Sequence, residues 1–103
     1  MYARLSRFAG LPPERIDETI REFESGQLAF FEQQEGFEGV LVMLDRAEGK
    51  AAAITFWDSH ESLRTSDRLA DQARQAAMDS ARPSREPIID RYEVVLQKAP
   101  AGS

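Results

Sequence analysis

The sequence predicts an α+β domain in which the elements follow one another as β-α-β-β-α-β. Three observations carry that prediction. Stretches rich in β-formers occur at 1–8, 40–45, 51–57 and 88–97, each bounded by turn residues. A segment with apolar residues at helical spacing separates the first two strands, and another separates the last two. Strand, helix, strand is therefore written twice, a weak internal duplication. Right-handed crossovers fold this order into a four-stranded antiparallel sheet with both helices on one face, the ferredoxin-like plait.

Each element has its own justification. MYARLSRF (1–8) alternates β-formers with arginines, and AGLPP ends it. Pro13 suits a first helical turn, where a missing N–H costs nothing. Ile16, Ile20 and Phe23 then share one helical face, and Glu14, Asp17 and Glu18 lie near the favoured N-terminal end. ESGQ predicts a pause at Gly26, with the helix resuming to about Gln33. EGFEG (35–39) reads as a turn, and VLVMLD (40–45) as a strand covered on both faces. RAEGK (46–50) is a hairpin turn with Gly49 free to take positive φ, and AAAITFW (51–57) is the returning strand. A long helix follows from about Ser59 to Ser80. Its predicted buried stripe is Leu63, Ser66, Ala70, Ala73 and Ala77, small enough for the helix to lie close to what it covers. ARPSREP is a loop, and IIDRYEVVLQ (88–97) is a last strand with Tyr92, Val94 and Leu96 on one face. Residues 1–98 thus make a single domain, and 99–103 a frayed tail. The apolar run at 40–44 and the alternation at 92–96 both call for cover on the second sheet face. A second copy of the chain is the expected cover, in a homodimer.

Composition narrows the function. The net charge is −5, from 18 acidic and 13 basic residues, which argues against nucleic acid as a partner. The same element order builds RNA-recognition domains, but their stacking aromatics are here Ala51 and Ala53. No cysteine is present, so disulfides and thiolate chemistry are excluded. A single histidine and no metal-binding spacing give a metal site no support. No apolar run approaches a membrane span, and the first residues lack the apolar core of a signal peptide, so a soluble cytoplasmic protein is expected.

MYARLSRF, GFEGVLVMLD, AAAITFWDSHESL and RYEVVLQ together resemble the antibiotic biosynthesis monooxygenase family of dimeric α/β barrels. The resemblance spans nearly the whole chain, and its most specific element is a strand ending in Trp57 followed by Ser59 and a helix. It implies a protomer whose sheet pairs with its twin. It also implies either cofactor-independent oxygenation of a polyphenolic or quinol-like substrate, or haem degradation. Haem-degrading members carry an Asn on the first strand and a Trp and a proximal His on the second helix; the corresponding positions here are Ser6, Ser66 and Ala76. His60 lies at the wrong end of that helix, so haem degradation is not expected. Some oxygenases place an Asn four residues before the strand-end Trp, where this chain has Ala53.

The candidate site gathers around ITFWDSHES (54–62). Asp58 or Ser59 is a good N-cap, and with Asp58 as cap Glu61 would complete a capping box. His60 is a surface residue of the first turn, or a general base if a pocket opens beside it. Trp57 is either core or a pocket wall on which a planar aromatic ligand could stack. Alternation puts Ala53, Thr55 and Trp57 on one strand face, so Thr55 could supply a hydroxyl there. Tyr92 and Tyr2 are core-edge residues that could add phenols. Arg4, Arg7 and Arg91 read as members of structural ion pairs with Asp90, Glu93 or a second subunit rather than as an anion site. Arg82 and Arg85 read as solvated charge, and Phe30, Phe31 and Phe37 as caps on the barrel or dimer edge. The expected function is a cofactor-independent monooxygenase of an aromatic substrate, with Trp57, Thr55, Tyr92 and His60 as substrate-binding residues. The alternative is a non-catalytic homodimer that binds a small molecule or simply assembles.

Overall fold

A computed structural model describes residues 1–101; of the expected tail, residues 102 and 103 lie outside the described residues. The chain forms a four-stranded antiparallel sheet in the order β2-β3-β1-β4, with β1 at Tyr2–Phe8, β2 at Phe37–Asp45, β3 at Lys50–Trp57 and β4 at Ile88–Glu93. All helices lie on one face, the ferredoxin-like plait. Central β1 pairs with β3 from Tyr2↔Trp57 to Phe8↔Ala51, and with β4 from Tyr2↔Glu93 to Arg7↔Ile88. The Asp45–Lys50 hairpin closes through Gly49 at φ 64°, as its sequence predicts.

The first helical segment is α1 (Pro13–Glu22), a π turn (Phe23–Gln27) and α2 (Leu28–Glu32). The expected pause at Gly26 is therefore no break: the backbone stays helical, and Leu28 N–H reaches back to Phe23 O. The wide turn absorbs roughly one extra residue, about 100° of helical rotation. That brings Phe31 back onto the face of Phe23, their ring centroids 6.1 Å apart.

The second helix, by contrast, is not continuous. It runs as α3 (His60–Thr65) and α4 (Asp67–Ala81), broken at Ser66. The buried Ser66 hydroxyl donates to Leu63 O at 2.7 Å, and such back-bonding bends helices. Ser59 is the N-cap, its hydroxyl accepting from Ser62 N–H at 3.1 Å, so the Asp58 capping box does not form. Asp58 N–H instead donates to Gly36 O at 2.8 Å.

Two strand limits differ from expectation. β2 begins at Phe37 because a bulge between Phe37 and Gly39 (φ 144°) takes up residues that read as a turn. β4 ends at Glu93 because that residue already pairs with Tyr2. Val94 N–H reaches Met1 O at 2.8 Å, and no further partner strand remains among the described residues. Val95 and Leu96 are accordingly exposed rather than in a strand.

The core sits under one end of the sheet, where Phe31, Trp57, Leu63 and Ala70 are buried with Phe37 and Phe23 against them. Phe31 and Phe37 are therefore core aromatics, whereas Phe30 is exposed. The opposite sheet face carries Leu41, Met43, Ile88 and Tyr92, all half-exposed. Among the described residues no helix is long and apolar enough to cross a membrane.

Candidate functional site

Between the helical layer and the other end of the sheet lies a cavity of about 120 Å³. That is several times what one water needs. Its origin is local. The stripe of small residues predicted on the second helix does face the sheet, through Ala70, Ala73 and Ala77. The helix does not close the gap, however. α4 packs mainly on α1 and the π turn, while α3 is the segment that meets β1 and β3. Alanines therefore leave a hollow instead of tightening a contact. β3 contributes Ala51 and Ala53, equally small, and β2 contributes Val40, Val42 and Leu44.

The wall is apolar apart from Arg4, Ser6, Thr19, Thr55 and Arg74. Both ionisable groups are therefore basic, in a chain of net charge −5. Arg4 is 2 % exposed. Its guanidinium donates to Ser66 Oγ at 3.0 Å and to Leu63 O at 2.7 Å, and pairs with Asp67. The break at Ser66 supplies all of these acceptors. Asp67 is shared with Arg91 at 3.2 Å, while Arg74 pairs with Asp71. Arg4 Nε and Arg74 Nη1 are buried and have no acceptor among the described residues. Burial lowers the pKa of Arg4, Asp67 opposes that shift, and the like charges of Arg91 and Arg74 add to it. Burial would raise Asp67, but the hydrogen bonds from Arg4 and Arg91 outweigh it and hold the carboxyl below its usual range.

The four residues proposed from sequence are not brought together. Thr55 is buried and lines the cavity. Trp57 is wholly buried, 0 % exposed, and lies beside the cavity in the core. Its ring packs 5.6 Å from Phe37 and 6.3 Å from Phe31. Its indole N–H donates to Thr55 Oγ1 at 2.9 Å, so it touches the cavity only through that hydroxyl. Tyr92 pairs with Ala3 and emerges on the opposite sheet face. His60 is exposed at the start of α3, edge-on to Tyr2 at 5.5 Å. Among the ion pairs, Arg7 does meet Asp90, at 3.3 Å, but Arg4 and Arg91 meet Asp67 on α4 rather than a strand carboxylate. Arg85 borders a wider, open hollow beside Arg7 and Lys50 whose charges include Asp45 and Glu86, a solvated surface.

Arg4 and Arg74 as cavity residues were missed by sequence reasoning. The alternation of β1 held a signal for Arg4, since Arg4, Ser6 and Phe8 share the face of the core. Arg74 stands four residues after Ala70, on the predicted stripe itself.

No family model matches the chain, and no curated protein matches it. Solved structures do. A monooxygenase from the gene ActVA-Orf6 of Streptomyces coelicolor, in complex with nanaomycin D, superposes with a TM-score of 0.79 at 13 % identity, over 97 % of this chain and 92 % of that one. SnoaB, a cofactor-independent oxygenase from Streptomyces nogalater, gives 0.66 at 15 % identity, over 93 % and 94 %. A dimeric ferredoxin-like protein from an uncultured marine organism gives 0.71 at 7 % identity, over 97 % and 92 %. At such identities the likeness is one of fold, and at that level the resemblance read from the sequence holds: this chain has the ferredoxin-like α+β fold of these monooxygenases.

Proposed function

We propose that this chain is a member of the antibiotic biosynthesis monooxygenase family, a cytoplasmic homodimer that binds a planar aromatic molecule in the cavity and oxygenates it without a cofactor. The observation that carries the reading is the cavity itself: apolar walls, a few polar groups, and a location between sheet and helices. Such a site fits an aromatic body. Thr55 would orient a substrate hydroxyl, and Trp57 is a positioning residue that holds the Thr55 side chain through its indole N–H. In a quinol-type oxygenation the substrate supplies the electrons. A ring CH₂ becomes C=O, one oxygen atom of O₂ enters the product and the other leaves as water.

A specific observation favours a second reading, a non-catalytic binding protein. No histidine, carboxylate or phenol among the described residues lines the cavity, so a general base is missing from its wall. Oxygen uptake decides between the two. With the anthrone dithranol as probe, an oxygenase consumes O₂ above the buffer rate, and Ala77→Phe, which fills the cavity from α4, abolishes the excess. Binding of dithranol without excess uptake establishes the second reading; neither binding nor uptake refutes both.

The half-exposed Leu41, Met43, Ile88 and Tyr92 support a second copy as the cover of the open sheet face. The dimeric ferredoxin-like protein of the same fold supports it too. Light scattering should give the mass of two chains, and Leu41→Lys should give one.

A further inference from the structure

One polar side chain on the cavity floor has no task in the fold. Ser6 lies in central β1, between Ala53 of β3 and Ile89 of β4, and neither neighbour carries a polar side chain. Alternation along β1 gives Arg4, Ser6 and Phe8 one face, and all three line the cavity. Serine has a single γ atom, so the side chain that Ser6 turns to the cavity ends in its hydroxyl. Ser6 is 7 % exposed. The equally buried Ser66 hydroxyl is bonded to Arg4 and Leu63, whereas that of Ser6 meets no partner among the described residues. Nor is it sealed in. The polar atoms closed off without a partner among the described residues are Arg4 Nε and Arg74 Nη1. Ser6 Oγ therefore keeps surface open to the cavity. A hydroxyl so buried and unpaired is an exception that calls for a reason. Alanine, which forms the same floor at Ala51 and Ala53, would serve the fold without it.

The unmet capacity of this floor is donor capacity. Thr55 stands diagonal to Ser6 across the β1–β3 pair, since Arg4 pairs with Thr55 and Ser6 with Ala53. Thr55 Oγ1 already accepts the Trp57 indole N–H, and its own O–H has no acceptor among the described residues. No carboxylate, imidazole or carboxamide side chain among the described residues lines the cavity to accept from either hydroxyl. We propose that Ser6 is a specificity-determining residue of the cavity, whose hydroxyl selects an aromatic ligand that turns a ketone oxygen to β1. This rests on the cavity being the ligand site, as proposed above, and adds which residue reads the ligand and what it reads. A carbonyl oxygen has lone pairs and no proton, so it takes what the floor offers. A hydrocarbon of the same shape displaces water from Ser6 Oγ and gives nothing in return.

The test compares two planar ligands of one shape, 9-fluorenone and fluorene, which differ by C=O against CH₂. Equilibrium dialysis against the wild type and Ser6→Ala gives four affinities. Fluorene is the more hydrophobic, so a cavity that reads apolar surface alone binds it at least as tightly. The wild type should instead prefer fluorenone by about fivefold or more, as one hydrogen bond to a neutral acceptor provides. In Ser6→Ala the preference should fall to within about twofold, with fluorene affinity unchanged. The substitution removes an unpaired hydroxyl and no packing, so the Tm of the ligand-free protein should hold or rise. A fall in Tm would show that the hydroxyl serves the fold, and would overturn the proposal. Equal binding of the two ligands to the wild type, or a preference for fluorene, would overturn ketone recognition and leave an apolar ligand pocket standing. A fluorenone preference undiminished in Ser6→Ala would remove Ser6 from the site. If neither compound binds, this inference and the ligand reading of the cavity fall together.

Discussion

Replacing Trp57 by Phe tests whether the indole is core or cavity wall. The side chain is 0 % exposed and packs between Phe31 and Phe37. Going from indole to phenyl removes three buried heavy atoms, worth about 2 kcal/mol at ~0.8 kcal/mol per buried carbon. The hydrogen bond to Thr55 Oγ1 is lost as well, about 1 kcal/mol. Thr55 lines the cavity, so its hydroxyl is not stranded without water. The sum is about 3 kcal/mol, a large share of the ~5–15 kcal/mol that holds a small domain together. At ~4–8 °C per kcal/mol, Tm should fall by about 12–24 °C. Urea unfolding followed by far-UV circular dichroism measures the loss, since the variant has no tryptophan left to report. Protein concentration is held fixed, because the stability of the proposed dimer would depend on it. In the wild type the single tryptophan should emit in the blue and resist acrylamide. A loss under about 1 kcal/mol, with emission quenched as readily as free indole, would refute the packing argument and place Trp57 on a wet wall.

Other perturbations probe the frame of the cavity. Asp67→Asn strips Arg4 of its counter-charge and should cost about 1–3 kcal/mol at pH 7, less than a fully buried pair because Asp67 is 40 % exposed. The pH dependence has a definite sign: a carboxyl held low in the folded state adds stability above its unfolded pKa of about 3.9, and loses it as pH falls through the folded value. Wild-type stability should thus drop below about pH 4, and the drop should be shallower in Asp67→Asn; equal slopes would remove Asp67 from the account. Gly36→Ala should destabilise by about 1–3 kcal/mol, since Gly36 has φ 84° and an added Cβ would collide with Ser62 and Asp58. An unchanged urea midpoint would show that the α2–β2 turn tolerates another conformation.

Local signals were enough for most of the fold. Periodicity placed the strands and both helical segments, Gly49 marked the hairpin, and Ile16–Ile20–Phe23 marked the inward face of α1. The misses occur where a partner elsewhere in the chain decides. Nothing near Gly26 says that the helix widens rather than pauses; the demand comes from Phe31, which must reach Phe23 and Trp57. Nothing in RYEVVLQ says that β4 stops at Glu93; the end of β1 says so. Ser66 breaks the second helix while its hydroxyl and the Leu63 carbonyl serve the Arg4 guanidinium, 62 and 59 residues away in sequence.

The site divides in the same way. From the sequence alone came the fold class, the resemblance, Thr55 on the inward face and the stripe of small residues on the second helix. Tertiary structure alone decided that those small residues leave a cavity, because α4 rests on α1 and the π turn instead of the sheet. It also separated the proposed residues, sending Tyr92 to the far face and His60 to the surface, and put Arg4 and Arg74 on the cavity wall. Short-range spacing sets which face a side chain takes. Which side chains meet, and whether a gap remains between them, depends on how whole layers pack, and that is a property of distant segments acting together.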